Sequence, residues 1–236
     1  MFNYPVLLNL ANMSCLIVGG GPVGVRKAQQ LLEAGAKRVV LVAPSAPAEA
    51  ESRLGKFSAF TRCVRKFDEN DLSSANLVFA VTNDLELNRN IACQCAAKGI
   101  LCNDASSSAS EENGRSGNFS VPASFKSAGL HIAVGAASAQ TLGPALSKRI
   151  CDDLYEMVEQ RYGKAVELMS FARSKILALN LPKEPRHDLL IGLAELSLKF
   201  NEAGLRSLTQ IMQTHLPLEL AREIESKLLQ LKKSQG

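Results

Sequence analysis

The sequence predicts an α/β fold: a Rossmann-type parallel sheet domain in front, a small strand-containing region after it, and a helical carboxy-terminal domain. Three observations predict it. Short continuous apolar runs recur through roughly the first hundred residues, as strands buried on both faces require. The first run empties into a glycine cluster, Gly19-Gly20-Gly21-Pro22-Val23-Gly24, which opens a helical pattern. From about Thr141 onward the apolar residues keep helical spacing only.

The elements follow in order. Cys15-Leu16-Ile17-Val18 reads as a buried strand, and Val25 to Ala34 as a helix with Ala28, Leu31 and Leu32 on one face and Gly35 as its stop. Val39 to Val42 is the second strand, closed by Ala43-Pro44. Strand, turn, helix and strand within about 30 residues build a right-handed crossover and hence a parallel sheet. Ala59 to Val64 reads as a weaker strand, and Asp68 to Ser74 as a short helix or turn. Leu77 to Val81 is a clear buried strand ending in Thr82-Asn83-Asp84, followed by a helix over Leu85 to Lys98 that Gly99 stops. Ile100-Leu101-Cys102 is a further strand ending in Asn103-Asp104. Ala105 to Asn118 is rich in Ser, Gly, Glu and Asn and reads as an exposed loop, long enough to suggest a functional role. Phe119 to Pro122 and Leu130 to Val134 are strand-like, too few residues to form a core of their own. They pair with another copy or pack on the front sheet. Leu154, Val158 and Val166, then Leu189, Leu193 and Leu196, then Ile224, Leu228 and Leu231 keep helical spacing, with Pro182 and Pro185 expected to break the helices apart.

Composition narrows the function classes. With 46% apolar and 21% charged residues in 236, a packed core is expected. A net charge of +4 with no long basic run argues against nucleic acid, and no apolar run is long enough to span a membrane. The segment Met1-Phe2-Asn3-Tyr4-Pro5 lacks the pattern of a secretory leader, so a cytoplasmic setting with six reduced cysteines is expected. No metal site is expected. Cys93 and Cys95 stand two apart on a helix and so face different ways, and both read as small buried residues. His131, His187 and His215 share no ligand spacing.

The glycine turn carries the chemistry. Gly19, Gly21 and Gly24 match G-x-G-x-x-G. The first glycine permits the tight turn out of the strand, the second lets backbone approach a pyrophosphate, and the third allows close helix–strand packing. The helix beginning at Pro22 and Val23 then aims free N–H groups and the positive end of its dipole at the phosphates. A dinucleotide is therefore expected, although Ala43-Pro44-Ser45 occupies the place where an acid normally holds the ribose. On these residues alone NAD and NADP stay open. Thr82, Asn103 and Asp104, at the ends of later strands, should line the same crevice. Asp104 is placed to serve as a base beside the nicotinamide or, equally, to cap the following loop.

These residues resemble the siroheme synthase amino-terminal module, the precorrin-2 dehydrogenase / sirohydrochlorin ferrochelatase family. Tyr4-Pro5-Val6 with Leu8 looks like its opening, and Leu16 to Gly24 with Arg26-Lys27-Ala28 looks like its strand, glycine turn and basic pair. Leu32 to Ala36, Val42-Ala43-Pro44, Phe79 to Asp84 with Asn88, Asn103-Asp104 and Phe119 to Pro122 match further segments in order. The resemblance covers about residues 4 to 150. It implies NAD as oxidant and Gly19, Gly21, Pro22, Val23, Gly24, Ala43, Pro44, Thr82 and Asn103 as its binding residues. It implies dehydrogenation of precorrin-2, a tetrapyrrole substrate with many carboxylates, to sirohydrochlorin, with Asp104 as general base. In members with two activities, ferrous ion is then a second substrate. It also implies a homodimer. The resulting division is 1–112 for the NAD-binding domain, 113–150 for a dimerisation region and 151–236 for the helical domain. Arg173, Lys175, Arg186 and Arg206 are there to meet substrate carboxylates or to be solvated helix faces.

Two departures stand out. The family spaces Asn-x-x-Asp, whereas Asn103 and Asp104 are adjacent. Its Ser-x-Gly-Gly-x-Ser-Pro segment is replaced by Gly135-Ala136-Ala137-Ser138-Ala139-Gln140-Thr141, which leaves chelatase activity open. A scaffold of the same fold that binds nucleotide or tetrapyrrole without catalysis is the alternative.

Overall fold

The computed structural model describes residues 4–45, 47–104, 117–127, 129–135 and 143–233. They form two compact units, one ending at Val121 and the other taking Pro122–Gly135 together with the carboxy-terminal helices.

In the first unit β1 (Ser14–Val18), α1 (Pro22–Glu33), β2 (Arg38–Val42), α2 (Ala48–Leu54), β3 (Phe60–Cys63), β4 (Leu77–Ala80), α3 (Leu85–Ala97) and β5 (Leu101–Asp104) follow one another. All five strands pair in parallel, in the order β3-β2-β1-β4-β5. Strand alternation sends Cys15, Ile17, Leu41 and Phe79 to one face, where Ala28 and Leu31 of α1 and Leu54 of α2 close the core. Leu16, Val18, Val78 and Cys102 face the other way, onto Ile91 and Cys95 of α3. Burial on both faces explains why these strands read as unbroken apolar runs.

Most sequence expectations hold to within a residue or two. Gly35 and Gly99 follow the helices with φ of +80° and +67°, the left-handed conformation of a helix stop. The short helix after β3 is a 3₁₀ turn, Glu69–Ser74, capped reciprocally by Asp68 and Asp71. Four details differ. Asn103 and Asp104 lie inside β5 rather than beyond it, because their ladder to Phe79 and Ala80 continues. Phe119 to Pro122 is not a strand: pairing begins at Ala123, after the proline that has no N–H to give. Helix α2 has a short buried stripe, Ala50 and Leu54, that is too brief to stand out in the sequence. Pro185 does not break a helix but sits in the first turn of one, where its missing N–H is no loss.

The expected loop at 105–118 lies outside the described residues except for its last two. Gly117 and Asn118 run beside β5, where the Asn118 side chain accepts from Cys102 N–H at 2.7 Å and donates to the Ile100 carbonyl at 2.9 Å. A Cβ on Gly117 would stand 2.7 Å from both Asp104 N and the Cys102 carbonyl oxygen, so only glycine permits that approach.

The second unit holds the hairpin β6 (Ala123–Ser127) and β7 (Leu130–Val134) and the helices α4 (Pro144–Ala178), α5 (Lys183–Leu198), α6 (Glu202–His215) and α7 (Leu218–Lys233). The hairpin packs one face on α4. Phe125 meets Tyr155 edge-on at 5.4 Å, and the Ser127 hydroxyl donates to the Glu159 carboxylate. The helices share a core that includes Ala172, Ile176, Leu193, Met212, Ile224 and Leu228. The longest described helix, α4, is broken at neither end by accident: Pro144 opens it, and Asn180, at φ 49°, turns the chain out of it.

Candidate functional site: the glycine turn and the strand ends

The chain runs from β1 through α1 to β2 on one side, and later returns to β4 on the other. Between β1 and β4 the strand order therefore reverses. Loops leaving the two strands diverge there, and an open crevice forms at their carboxyl ends.

Gly19 begins the turn directly after β1. Its φ is +124°, and a Cβ on it would lie 2.5 Å from the Val81 carbonyl oxygen. Glycine is required there twice, for conformation and for the close pass of the β4 exit. Gly24 sits in the first turn of α1, where a Cβ would meet the Gly19 carbonyl oxygen at 2.0 Å and the Ile17 side chain at 3.4 Å. That contact clamps helix to strand, as expected of the third glycine. Gly21 is different. A Cβ there would meet nothing within 4 Å, so no packing within the protein demands glycine. Gly21 caps α1 without a side-chain hydrogen bond, Pro22 supplies the first helical residue, and the first turn contains no acid. The early N–H groups of α1 and its dipole are therefore open to an anion.

The exit of β2 borders the crevice on the other side of β1. Ala43 is buried, with its N–H bonded to the Cys63 carbonyl at 3.1 Å, while Pro44 and Ser45 are exposed at the rim. No carboxylate and no arginine stands in this stretch.

Thr82 leaves β4 into a tight polar turn. Its hydroxyl donates to Asn88 Oδ1 at 2.7 Å, and its N–H donates to the same oxygen at 3.1 Å. The Asn88 amide donates back to the Thr82 carbonyl at 3.0 Å. Asp84 caps α3 by accepting from Leu87 N–H. The Thr82 side chain is thus spent on holding the turn, and the peptide that Thr82 shares with Val81 is what borders the glycines.

Asn103 and Asp104 end β5 on opposite faces of the sheet, as strand alternation dictates. Asn103 is on the α1 side, where its amide donates to the Phe119 carbonyl at 3.1 Å. Asp104 is 6% exposed and is on the side of Cys102 and α3. Asp104 does not stand alone there: it takes part in a polar or electrostatic interaction.

Elsewhere the predicted residues separate. Among the described residues no three His, Cys, Asp or Glu side chains are grouped to hold a metal ion. Cys93 is exposed and Cys95 buried, so the expectation of two buried thiols holds for one of them. Cys95 and Cys102 instead meet between α3 and β5. That contact and, after it, burial push the Cys102 thiol up, and burial pushes Cys15 to about 11, which keeps both thiols protonated. In the second unit His131 is on the exposed face of the hairpin. Lys175 pairs with Glu223 at 3.0 Å and lies over the Phe171 ring. Ser138 lies outside the described residues. Sequence reading gave no role to Asn88, although its position after Asp84 and its complete burial mark it as the residue that fixes the β4 exit.

Comparison with known proteins agrees with this geometry. A family model described as NAD(P)-binding matches residues 6–123. A precorrin-2 dehydrogenase of Priestia megaterium is 31% identical over 187 residues, 79% of this chain and 87% of that protein. A siroheme synthase of Nitrosococcus oceani is 30% identical over 172 residues, and the match spans 34% of its length. A solved structure described as SirC, precorrin-2 dehydrogenase, superposes with a TM-score of 0.66 at 28% identity, covering 98% of this chain and 100% of that one. The chain belongs to the NAD(P)-binding family of the precorrin-2 dehydrogenases and siroheme synthases.

Proposed function

We propose that this protein is an NAD-dependent precorrin-2 dehydrogenase of siroheme biosynthesis, a cytoplasmic oxidoreductase that converts precorrin-2 to sirohydrochlorin. The observation that carries the reading is the open space at Gly21, in front of an uncapped and acid-free helix start, in a chain of this family. The residues fit the cofactor. Gly19, Gly21 and Gly24 with Pro22 and Val23 cradle its pyrophosphate. Ala43 and Pro44 border its ribose, and Thr82 and Asn103 border its nicotinamide half.

Bound NAD supplies the hydride acceptor. The reaction balances as precorrin-2 plus NAD⁺ giving sirohydrochlorin, NADH and one proton. Asp104, at the carboxyl end of β5, takes the proton that leaves as the hydride does. Asn88 and Thr82 hold the β4 exit in place, so the peptide that would border the bound cofactor is fixed before it arrives.

We divide the chain by role at 1–112, 113–150 and 151–236, with the hairpin in the middle segment joining two copies. Supporting this, the hairpin is a two-stranded sheet with Ser124, Lys126, His131 and Ala133 exposed on one face. Ferrous ion, if inserted, is a second substrate rather than a resident metal. Purified protein mixed with precorrin-2 and NAD should produce NADH absorbance together with sirohydrochlorin. Absence of both, with nucleotide or tetrapyrrole binding retained, would leave the scaffold reading. Chelation is tested separately, with ferrous ion and sirohydrochlorin in the absence of NAD.

A further inference from the structure

Lys27 lies in α1, three residues past the last glycine of the turn. Its neighbour Arg26 is exposed, but Lys27 is half-buried. Its ammonium stands 5.7 Å from the centroid of the Phe79 ring on β4. Phe119 meets that same ring edge-on at 5.5 Å. Asn103, which pairs with Phe79 across the ladder, donates to the Phe119 carbonyl. The lysine stem, two aromatic rings and the Asn103 amide thus make one patch at the carboxyl ends of β4 and β5, on the α1 face of the sheet.

Among the described residues no carboxylate pairs with Lys27. The first turn of α1 contains no acid, and the neighbouring charge of Arg26 is repulsive. Burial and that repulsion lower the pKa of the ammonium. A desolvated cation resting on an aromatic face is only partly compensated. Stability alone would favour an apolar residue of the same length. The arrangement becomes favourable when an anion comes to the ammonium.

The dinucleotide is not well placed to be that anion. Its pyrophosphate belongs at the start of α1, and Lys27 is roughly 7.5 Å further along the helix from Pro22 at 1.5 Å per residue. The side chain is directed toward Phe79 of β4. We propose that Lys27 is a substrate-binding residue whose ammonium pairs with a carboxylate of the tetrapyrrole and orients the macrocycle over the strand ends. This rests on the dehydrogenase reading above, which supplies a polycarboxylate substrate.

Two variants of the full chain test it. Lys27→Met keeps the stem over Phe79 and removes the charge; Lys27→Arg keeps the charge. Lys27→Met should raise the KM for precorrin-2, and the Kd for sirohydrochlorin measured by fluorescence without NAD, by about tenfold or more. The KM for NAD should stay within about twofold, and Tm should not fall. Lys27→Arg should recover most of the lost affinity. An unchanged sirohydrochlorin Kd in Lys27→Met overturns the proposal, as does a shift confined to NAD. If the wild type forms no NADH yet binds sirohydrochlorin, and Lys27→Met weakens that binding, the dehydrogenase reading fails and the assignment of Lys27 stands. If the wild type binds no sirohydrochlorin, both fall.

Discussion

A methyl group on Gly24 would lie 2.0 Å from the Gly19 carbonyl oxygen, while one on Gly21 would touch nothing within 4 Å. Residues of one motif therefore answer to different physics. Gly24→Ala must push α1 away from β1 and should destabilise the fold by about 2 kcal/mol or more, seen as a lower Tm or urea midpoint. Gly21→Ala should leave stability within about 0.5 kcal/mol of wild type. It should raise the KM for NAD, because its methyl occupies the space reserved for pyrophosphate. Equal NAD affinity in Gly21→Ala would remove the phosphate from that turn. At Asp104, replacement by Ala should lower kcat by at least about 100-fold if the carboxylate is the base. Asp104→Asn, which preserves shape and most hydrogen-bonding capacity, should lose as much activity while keeping more stability. An Asp104→Asn enzyme that turns over normally would reduce Asp104 to a structural cap.

At the scale of elements, the β4–α3 connection is set by side chains rather than by its loop length. Asn88→Ala strips the partner from the Thr82 N–H and hydroxyl in a fully buried place, so about 1–3 kcal/mol of stability should be lost. The KM for NAD should rise as well, since the Val81–Thr82 peptide presses on Gly19. The turn after β3 depends on charge. Asp71 accepts two hydrogen bonds from Arg65, at 2.5 and 2.8 Å, and these hold its carboxyl below the usual carboxylate range against the opposing effect of burial. A lowered folded pKa means that the contribution is present above about pH 4 and is lost as pH falls through the folded value. Asp71→Asn should therefore lower Tm at pH 7, and the gap to wild type should close in strongly acidic solution. A gap that persists there would assign the loss to the Asp68–Asp71 capping box instead.

At the scale of the whole molecule, each unit has its own core: one built on the sheet, one among α4 to α7. The hairpin belongs with the helices rather than with the sheet, and it packs one face on α4 through Phe125 and Tyr155. Its exposed face is where we expect a second copy to pair. Light scattering should give about twice the 25.4 kDa chain mass. Placing proline at Ala133 should shift that mass toward one chain if the hairpin forms the interface. A monomer at all concentrations would move the hairpin to another role.

The sequence by itself determined the Rossmann unit, because strands buried on both faces must be apolar throughout and a turn in which a Cβ would stand 2.5 Å from a carbonyl oxygen must be glycine. Both constraints act within a few residues and leave a local trace. It also determined the gap at Ala43-Pro44 that sets this site apart from ordinary NAD folds. Tertiary structure alone decided what depends on distant partners. The burial of Asn88 and the capture of the Asn103 amide by Phe119 come from segments meeting across the sheet. So does the setting of Lys27 on Phe79, 52 positions away in the chain. The position of Asp104 inside β5 was hidden for the same reason. A strand ends where its ladder ends, and the ladder partner of Asp104 is Ala80.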